Sequence, residues 1–434
     1  MKKVLIIANL YHAYRRIPGI SFYLSQFGWK ATIITPPISQ EEQTRLGFPV
    51  NFKETVKIVE APYSGDIWQF WRKPFGLLGF KKGTSLSEQI KQTVGSKSKK
   101  SFVNNLIHIY EAIFGYPDTE KTWIKPALEV AEREISKEKF STILSCSPYP
   151  STHLVAKKIK EKYHIPWVAD FRDPWSENHN YSYGKIRRAL DRRLEKKTIK
   201  IADIITTAAP TYSEKQRRIH GNTIVTITNG FDPLFGANIK AEPLKQFTIS
   251  YTGNVYADGQ DVGKLFPALS KFIKENDVRE EEFIVRFYGP KYSWIDEEIH
   301  KLDIENFVKQ YGPVSRLESI KAQKESHVLL IFGWKNLDEL GGIPSKVFEY
   351  MASGRPTLGI GGSKNEDFVK IMEETRSGKS GSTVDEIKDI LDTYWAEFRQ
   401  TGKILYEGIP ELIDQYSLKE LAKKFAEVLN ELNP

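Results

Sequence analysis

The sequence predicts an α/β protein with two domains, each built around a parallel β-sheet. Its 434 residues are more than one ordinary hydrophobic core holds, and they suggest two domains of about 200 residues each. Short apolar runs, such as residues 3–9 and 328–332, have the continuous character of strands that are buried on both faces. Segments with helical periodicity alternate with these runs along the chain, which is typical of βαβ units.

The first half of the chain shows this alternation from its start. A strand at residues 3–9 is followed by a polar loop, a helix at about residues 19–27 that Gly28 ends, and a second strand at residues 30–35. The loop carries no G-x-G-x-x-G pattern, which argues against a dinucleotide cofactor. Further strands are predicted at residues 142–145, 167–171 and 203–207, and further helices at residues 123–136, 152–163, 185–200 and from residue 213.

A linker is predicted at residues 232–246, where proline and small residues interrupt the alternation. We therefore expect a first domain at residues 1–235, a second at residues 246–410, and a C-terminal helical segment at residues 411–434. In the second half, strands are predicted at residues 247–251, 283–288, 308–311, 328–332 and 357–360, and helices at residues 264–275, 345–351 and 417–429.

The composition limits the class of protein. A hydrophobic content of 40% with 12% aromatic residues is typical of a globular chain. Cys146 is the only cysteine, which excludes an intrachain disulfide and a cysteine-based metal site. No run approaches the ~20 apolar residues needed to span a bilayer, and the N-terminal run, broken by Asn9, lacks the form of a signal peptide. A cytoplasmic protein is the simplest inference.

The formal charge of +8 is concentrated in residues 67–100, which carry eight Lys or Arg residues and one acidic residue, Glu88. Aromatic side chains interleaved with lysines are typical of surfaces that bind lipid headgroups. We expect this segment, within an insertion at about residues 64–116, to bind an anionic membrane surface. The alternative is a soluble basic insertion that folds onto its own domain. Nucleic acid is not expected as a partner, because no recognised binding module accompanies the basic stretch.

Residues 341–362, GGIPSKVFEYMASGRPTLGIGG, carry the clearest chemical signal. Two glycines allow the backbone to approach a ligand closely. A short helix follows at residues 345–351, and Gly354 is suited to end it in a left-handed conformation before an apolar strand resumes. A helix that begins after a glycine pair presents unpaired N–H groups and the positive end of its dipole, which attract phosphate.

Glu349 is predicted to lie about one turn into this helix, on the same face as Ser345 and Lys346. Its carboxylate is suited to accept both hydroxyls of a ribose whose phosphates bind the start of the helix. The alternative is that Glu349 is a solvated helix residue and that the glycines only form a turn.

The same segment resembles the donor-binding motif of the GT-B glycosyltransferases of family 4, in which PSK-x-x-EYMA-x-G-x-P is a common form. Three further segments match this family in the same order along the chain: IPWVADFRDPW at residues 165–175, IVTITNGFDPLF at residues 224–235 and TGN at residues 252–254. The first of these is similar to a branch found among bacterial surface-polysaccharide enzymes. The resemblance spans nearly the whole chain.

This resemblance implies the GT-B fold, α/β with two Rossmann-like domains that face each other across a cleft and a C-terminal helix that returns to the first domain. It implies an N-terminal acceptor-binding domain, a C-terminal domain that binds a nucleotide-sugar such as a UDP- or GDP-sugar, and no cofactor. Arg172 and Asp173 fall where the family has a His-Asp pair and are the implied catalytic residues; a structural ion pair is the alternative. The implied donor-binding residues are Arg15, Gly19, Gly253, Asn254, Tyr311, Gly341, Gly342, Ile343, Pro344, Ser345, Lys346 and Glu349.

Several positions depart from the family's pattern. Arg172 replaces the histidine, and only Gly19 is available for a glycine pair of the first loop. The two bases that neutralise the donor diphosphate correspond to Asn254 and Gln260, and Gly341 stands where the family has the first glutamate of a Glu-x7-Glu pair. Several bases are candidates for the missing charge, and the sequence does not decide among them: Lys346, Lys264, Arg286, Lys291 and Arg15.

The implied activity is that of a hexosyltransferase-type glycosyltransferase (EC 2.4) that retains anomeric configuration. Its acceptor would be a glycan or lipid-linked glycan at the inner face of the plasma membrane. No two aspartates are separated by a single residue, so we expect no metal and a transfer in which bases and a helix dipole hold the leaving diphosphate. A nucleotide-sugar epimerase on the same scaffold and a catalytically silent nucleotide-sugar or glycan-binding protein remain as alternatives.

Overall fold

The structure is a computed structural model that describes residues 1–11, 15–39, 48, 51–63, 110–178, 181–256, 259–335 and 342–433. The basic segment at residues 67–100 and the predicted site residue Gly341 lie outside the described residues. The chain forms two compact units. Unit 1 comprises Met1–Ala208, Tyr212–Ile227 and Ala422–Pro434, and unit 2 comprises Ala209–Thr211 and Thr228–Leu421.

Unit 1 contains a seven-stranded parallel sheet. Its strands are β1 (Lys2–Ala8), β2 (Trp29–Thr35), β3 (Lys57–Glu60), β4 (Thr142–Cys146), β5 (Trp167–Phe171), β6 (Ile204–Thr207) and β7 (Thr223–Thr226). They lie in the order β3-β2-β1-β4-β5-β6-β7, so the chain builds outward from β1 to one side and then to the other. Since parallel strands end at the same edge, the loops after β1, β4 and β5 are neighbours at one rim of the sheet.

Helices cover the sheet of unit 1 because continuous apolar strands must be buried on both faces. The buried rings of Trp123, Trp167 and Phe171 lie in one hydrophobic cluster with residues of β1 and β4. The helices are α1 (Arg16–Leu24), α2 (Phe52–Thr55), α3 (Ile124–Lys137), α4 (Pro150–Tyr163), α5 (Lys185–Ile199) and α6 (Pro210–Arg217), with 3-10 turns at Ser25–Phe27 and Lys121–Trp123. Residues 110–114 are also helical.

Unit 2 contains a six-stranded parallel sheet of the same kind. Its strands are β8 (Phe247–Thr252), β9 (Phe283–Tyr288), β10 (Val308–Gly312), β11 (Val328–Phe332), β12 (Thr357–Ile360) and β13 (Gly378–Gly381). They lie in the order β10-β9-β8-β11-β12-β13, so the order reverses between β8 and β11. Ligands of open α/β sheets bind at such a reversal, outside the carboxyl ends of the strands.

Aromatic rings fill much of the core of unit 2. Phe247 packs against Phe283 and Trp395 with ring centroids 5.7 Å and 5.8 Å apart. The helices around this core are α7 (Leu265–Glu275), α8 (Ser293–Lys301), α9 (Arg316–Glu325), α10 (Lys346–Ser353), α11 (Asp367–Thr375), α12 (Val384–Thr401) and α13 (Pro410–Asp414), with a 3-10 turn at Val262–Lys264.

The last helix, α14 (Leu418–Glu431), brings its C-terminal part into unit 1. Phe425 is fully buried, and the guanidinium carbon of Arg16 lies 5.3 Å from the centroid of its ring. The indole N–H of Trp29 donates to Asn430 at 3.2 Å. The predictions of two Rossmann-like domains and of a C-terminal helix that returns to the first are thereby confirmed.

No helix among the described residues is both long enough and apolar enough to cross a lipid bilayer.

Candidate functional site

Three glycines line the carboxyl edge of the sheet in unit 2, where β8, β9 and β10 end. Gly253 donates its N–H to the carbonyl of Tyr288 at 2.6 Å, and Gly289 donates to the carbonyl of Gly312 at 3.0 Å. Gly253 has a φ of +147°, and a Cβ at residue 289 would collide with the carbonyl oxygen of Gly253. Glycine at these positions therefore allows the neighbouring protein atoms to approach the main chain closely at this edge.

Lys346 lies over Gly253. A Cβ at residue 253 would collide with Cε and Nζ of this lysine, and its Nζ lies 5.8 Å from the centroid of the Tyr251 ring. Lys346 is also the first residue of α10. Its ammonium group and the positive end of the helix dipole therefore coincide at the glycine-lined edge, and together they favour an anion such as a diphosphate.

Helix α10 follows the sequence prediction closely. Ser345 stands at the N-cap position, and Gly354 ends the helix in the left-handed conformation with a φ of 68°. The preceding loop residues lie beside the start of the helix: Ile343 is buried, Gly342 and Pro344 are half-buried and Ser345 is exposed. Three helix residues predicted to face the core do so, namely Val347, Phe348 and Met351.

Tyr350, buried in the same helix, fixes α10 against β8. Its hydroxyl accepts the N–H of Thr252 at 3.1 Å, and Gln323 of α9 donates to the Thr252 hydroxyl at 3.1 Å. The bond to Thr252 joins α10 to the strand that leads into Gly253. The distance between Lys346 and the glycine-lined edge is thus set by packing within unit 2 and does not depend on a ligand.

Glu349 is paired with a residue that the sequence did not single out. Its Oε1 lies 3.9 Å from Nη2 of Arg316, and both side chains are largely buried. The guanidinium of Arg316 stacks on the ring of Phe235 at 3.3 Å. Arg316 opens α9 directly after Ser315, which forms a capping box with Glu318. That Ser-x-x-Glu pattern is the one sequence signal that could have located Arg316 at a helix start.

Two of the other candidate bases for the missing positive charge have partners in unit 2. Lys264 is held by Asp261 at 2.5 Å and by the carbonyl of Ser382 at 2.8 Å. Arg286 lies over the ring of Tyr311 at 5.6 Å. Lys291 is exposed, and its Cε lies near Gly312. Among these candidates in unit 2, Lys346 is the one whose ammonium group lies over Gly253, directly after β8.

The two polar residues that replace the family's bases serve the loop after β8. Gln260 is buried, and its side-chain oxygen accepts the N–H of Tyr256 at 2.9 Å. Asn254 is exposed, and its carbonyl accepts the hydroxyl of Tyr251 at 2.6 Å. These contacts hold the loop in shape but supply no positive charge.

Tyr311 lies at the end of β10, beside the glycine-lined edge. Its ring stacks on that of Tyr288, with centroids 4.9 Å apart and planes 19° from parallel. Nearly half of Tyr311 remains exposed. An exposed aromatic face beside a cation is suited to a planar ring of a ligand.

Glu366 is a buried acid at the ends of β11 and β12 that sequence reasoning missed. Its Oε1 accepts the N–H groups of Trp334 and Ser363, both at 3.2 Å. Burial raises the pKa of Glu366 to about 7, although the two backbone hydrogen bonds oppose this rise. Nothing in its local sequence, SKNEDF, distinguishes it from a solvated acid.

In unit 1, Arg172 and Asp173 follow β5 directly, at the rim where the loops after β1 and β4 also emerge. Nε of Arg172 lies 3.6 Å from a carboxylate oxygen of Asp173, and both side chains are partly exposed. Ser147, after β4, donates its hydroxyl to the carbonyl of Asp173 at 3.0 Å and accepts the Asp173 N–H at 3.1 Å. The main chain of Asp173 is therefore fixed, while the charged groups of the pair remain partly exposed.

Beneath this rim lies a buried ion pair that the sequence did not reveal. Arg16 donates through Nε and Nη2 to the two carboxylate oxygens of Asp170, at 3.0 Å and 2.8 Å. Thr206 donates to the same carboxylate at 2.7 Å. Burial alone would raise the pKa of Asp170, but the charge of Arg16 and these hydrogen bonds hold it below its ordinary value. The pair ties α1 to the centre of the sheet.

The two first-loop residues in the predicted site occupy different positions. Arg15 precedes α1 with a φ of 71°, which is uncommon for a residue other than glycine. Gly19 lies inside α1, fully enclosed, and donates its N–H to the carbonyl of Arg15 at 3.0 Å. Gly19 is therefore part of a helix and not of the loop, because α1 begins at Arg16, three residues before the predicted start.

Across the part of the chain that the structure describes, no three or more His, Cys, Asp or Glu side chains are grouped so that they could hold a metal ion.

Comparisons with known proteins define the fold. No protein-family model matches the sequence, and no curated protein matches it. Solved structures do match over nearly the full length. Sucrose-phosphate synthase from Thermosynechococcus elongatus is 10% identical, covers 100% of this chain and 99% of its own, and has a TM-score of 0.62.

A second similar structure is HepE from Anabaena in complex with UDP and glucose, which is 12% identical with a TM-score of 0.61 and covers 99% of this chain and 100% of its own. A putative UDP-N-acetylglucosamine 2-epimerase from Listeria monocytogenes is less similar, at 10% identity and a TM-score of 0.54, and covers 99% of this chain and 96% of its own. At such identities the likeness concerns the fold, which is GT-B.

Proposed function

We propose that this protein is a nucleotide-sugar-dependent glycosyltransferase. The observation that carries the proposal is Lys346, whose ammonium group lies over Gly253 at the start of α10, with Glu349 one turn further along. A cation at a strand end and a helix start suits a diphosphate, and a carboxylate one turn away suits ribose hydroxyls. The GT-B fold and its similarity to a UDP-binding neighbour support this assignment.

In the proposed site, Lys346 and the N–H groups at the start of α10 bind the diphosphate, with the loop of Gly342, Ile343, Pro344 and Ser345 against it. Glu349 binds the ribose, and its pairing with Arg316 at 3.9 Å holds the carboxylate in place until the donor arrives. Tyr311 and the main chain of Gly253 and Asn254 complete the donor contacts. No cofactor is needed, because the nucleotide is the leaving group.

The proposed chemistry is metal-independent transfer with retention of anomeric configuration. The bond between the anomeric carbon and the diphosphate oxygen breaks, and the bond to the acceptor oxygen forms on the same face of the sugar. The acceptor's proton passes to the departing diphosphate, so atoms and charge balance without an added base. Lys346 and the helix dipole stabilise the negative charge that develops on the diphosphate.

Arg172 and Asp173 are proposed to contact the transferred sugar or the acceptor hydroxyl, and Arg15 is proposed as a further donor-binding residue. Their charged groups are partly exposed at the rim of the unit 1 sheet, while Ser147 fixes the backbone. Such a pair can orient a hydroxyl group, because Arg172 donates a hydrogen bond to its oxygen and Asp173 accepts one from its hydrogen. A bacterial surface glycan, free or linked to a lipid, is the proposed acceptor, and the inner face of the plasma membrane is the proposed location.

The first experiment is a thermal-shift screen of UDP, GDP and other nucleoside diphosphates, because a ligand that binds the folded state raises its stability. The corresponding sugar donors are then incubated with the protein, and products are separated with and without glycan acceptors. Transfer, or slow hydrolysis of the donor, supports the proposal. Conversion of the donor into its epimer with no acceptor would identify an epimerase, and binding without any turnover would identify a silent binding protein.

A further inference from the structure

Four large apolar side chains are exposed in one region of unit 1. Ile186 and Leu190, one turn apart on α5, are 82% and 50% exposed, and Ile113 and Phe114, in the helical turn at residues 110–114, are 62% and 52% exposed. Single exposed apolar residues are ordinary, but a group of four large apolar side chains is typical of a surface that binds a protein, a membrane or a ligand. We call these four residues, with the exposed bases of α5, the α5 surface.

Arg187, buried between Ile186 and Arg188, holds the two parts of the α5 surface together. Its guanidinium donates to the carbonyls of Ala112, Gly115 and Pro117, the last two at 2.9 Å. The ring of Tyr116 lies 4.8 Å from the guanidinium carbon, and the Tyr116 hydroxyl donates to the carbonyl of Leu190 at 3.4 Å. The turn that carries Ile113 and Phe114 is therefore fixed against the first half of α5.

The acidic side chains of α5 lie on its buried face, and the charged side chains on its exposed face are all basic. Its two acids are buried and paired: Asp191 accepts from Arg187 at 3.0 Å and Tyr181 at 2.6 Å, and Glu195 accepts from Ser176. Every exposed charged residue of the helix is therefore basic, and these are Lys185, Arg188, Arg192, Arg193, Lys196 and Lys197. Arg193 and Lys197 continue the face of Ile186 and Leu190 by helical spacing.

We propose that the α5 surface docks on an anionic lipid bilayer, with the four apolar side chains inserted at the headgroup boundary and the bases paired with lipid phosphates. Bases beside exposed apolar groups, on a helix without exposed acids, are the pattern of a helix that lies in the membrane interface. A polyanion such as nucleic acid would match the bases but gives no role to exposed isoleucine, leucine and phenylalanine. The α5 surface contains none of residues 67–100, and the inference does not depend on the proposed transferase activity.

The test is sedimentation of the full-length protein with vesicles of phosphatidylcholine, with and without about one quarter phosphatidylglycerol. The apolar variant, Ile186→Ser with Leu190→Ser, and the charge variant, Arg193→Glu with Lys196→Glu and Lys197→Glu, should each reduce partitioning into anionic vesicles by about tenfold or more. Raised salt should reduce the fraction of wild-type protein that sediments with anionic vesicles, because salt screens the charge contribution. A smaller bound fraction should remain, since salt does not screen apolar contact, and the apolar variant should lack this remainder.

Matched controls carry the same changes elsewhere. Leu317→Ser with Leu405→Ser replaces two exposed apolar residues of unit 2, and Lys274→Glu with Lys370→Glu and Lys424→Glu reverses three exposed charges. Both controls should partition as the wild type does, and an unchanged thermal midpoint shows that each variant is folded. The proposal is overturned if the wild type does not prefer anionic vesicles, or if the α5 variants still partition like it. It is also overturned if only the charge variant fails to bind and DNA competes with the vesicles.

Discussion

The ammonium group of Lys346 occupies the space in which a side chain at Gly253 would have to lie. Gly253 directly follows β8 and Lys346 begins α10, so two residues 93 positions apart in sequence meet at this contact. Since a side chain at residue 253 would displace the ammonium group of Lys346, the pair offers a direct test of the proposed diphosphate site.

Gly253→Ala should weaken binding of a nucleoside diphosphate by about 1.5–3 kcal/mol, the range of a hydrogen bond to a charged group, because Lys346 must move away. Lys346→Ala should have a similar effect, and the double variant should be no weaker than either single one, since both remove the same contact. Isothermal titration calorimetry measures the affinities. Gly28→Ala, at a glycine that also has a positive φ and where an added Cβ meets nothing, is the matched control. Strictly additive losses would contradict the coupling.

Glu349→Ala should weaken nucleotide binding by about 1–3 kcal/mol, because the ribose hydroxyls lose a charged acceptor. The sharper readout is a 2′,3′-dideoxy nucleotide: wild type should bind it less well than the ribonucleotide, while the variant should bind both equally. Calorimetry on each protein gives the four affinities. An unchanged preference for the ribonucleotide in the variant would rule out the assignment, and Glu374→Ala, an exposed acid on α11, serves as control.

Asp173→Asn should lower turnover by about tenfold or more and leave nucleoside diphosphate affinity unchanged, because the proposed role is toward the sugar or acceptor. The bonds between Ser147 and the Asp173 main chain do not involve its carboxylate, so stability should hold. Initial rates of transfer and a thermal melt together decide the question. A variant that melts earlier yet keeps its specific activity would make the pair structural.

Turnover should survive an excess of EDTA, since the proposed mechanism neutralises the diphosphate with Lys346 and a helix start in place of a divalent ion. Added magnesium or manganese should leave the initial rate unchanged within error. If EDTA abolishes transfer and either metal restores it, a divalent ion holds the leaving diphosphate and the metal-independent mechanism is wrong.

Glu366→Gln should stabilise the protein at alkaline pH. The pKa of Glu366 rises in the folded protein from 4.5 to about 7, so its contribution to stability is complete below pH 4.5 and is lost as pH rises through 7. The variant, which cannot ionise, should exceed wild type by roughly 3 kcal/mol at about pH 8 and by much less at about pH 5. Urea denaturation at both pH values measures this, with Glu373→Gln on the exposed side of α11 as control. Equal differences at the two pH values would contradict the prediction.

Strands and helices with a strong local pattern were predictable from the sequence. Helix α10 is the best case, because Gly354 and the spacing of Val347, Phe348 and Met351 determine its end and its buried face together. Strands β3, β7 and β13 were not predicted. Two of them lie at the edges of the unit 1 sheet and one at an edge of the unit 2 sheet, and the last, GKSG, contains no apolar residue. All three are only four residues long, and so short a segment carries little local pattern by which a strand can be recognised.

The parts of the candidate site that the sequence missed all depend on contacts distant along the chain. Arg316 matters because it approaches Glu349, 33 positions later, and Arg16 matters because it reaches Asp170 across the sheet. No local pattern encodes such a meeting. The choice among candidate bases was open for the same reason, since only the folded unit 2 shows Lys264 held by Asp261 and Lys346 over Gly253.

Helix α14 gives the protein a particular order of assembly during its synthesis. The side chain of Lys2 in β1 donates to the carbonyl of Asn433, and Asn433 donates to Thr142 at 2.7 Å, so β1 and the segment after α14 are bonded within unit 1. A ribosome that has translated all seven strands of unit 1 has not yet made the helix that covers Trp29 and Arg16. Unit 1 therefore reaches its finished form only after the whole of unit 2 has emerged.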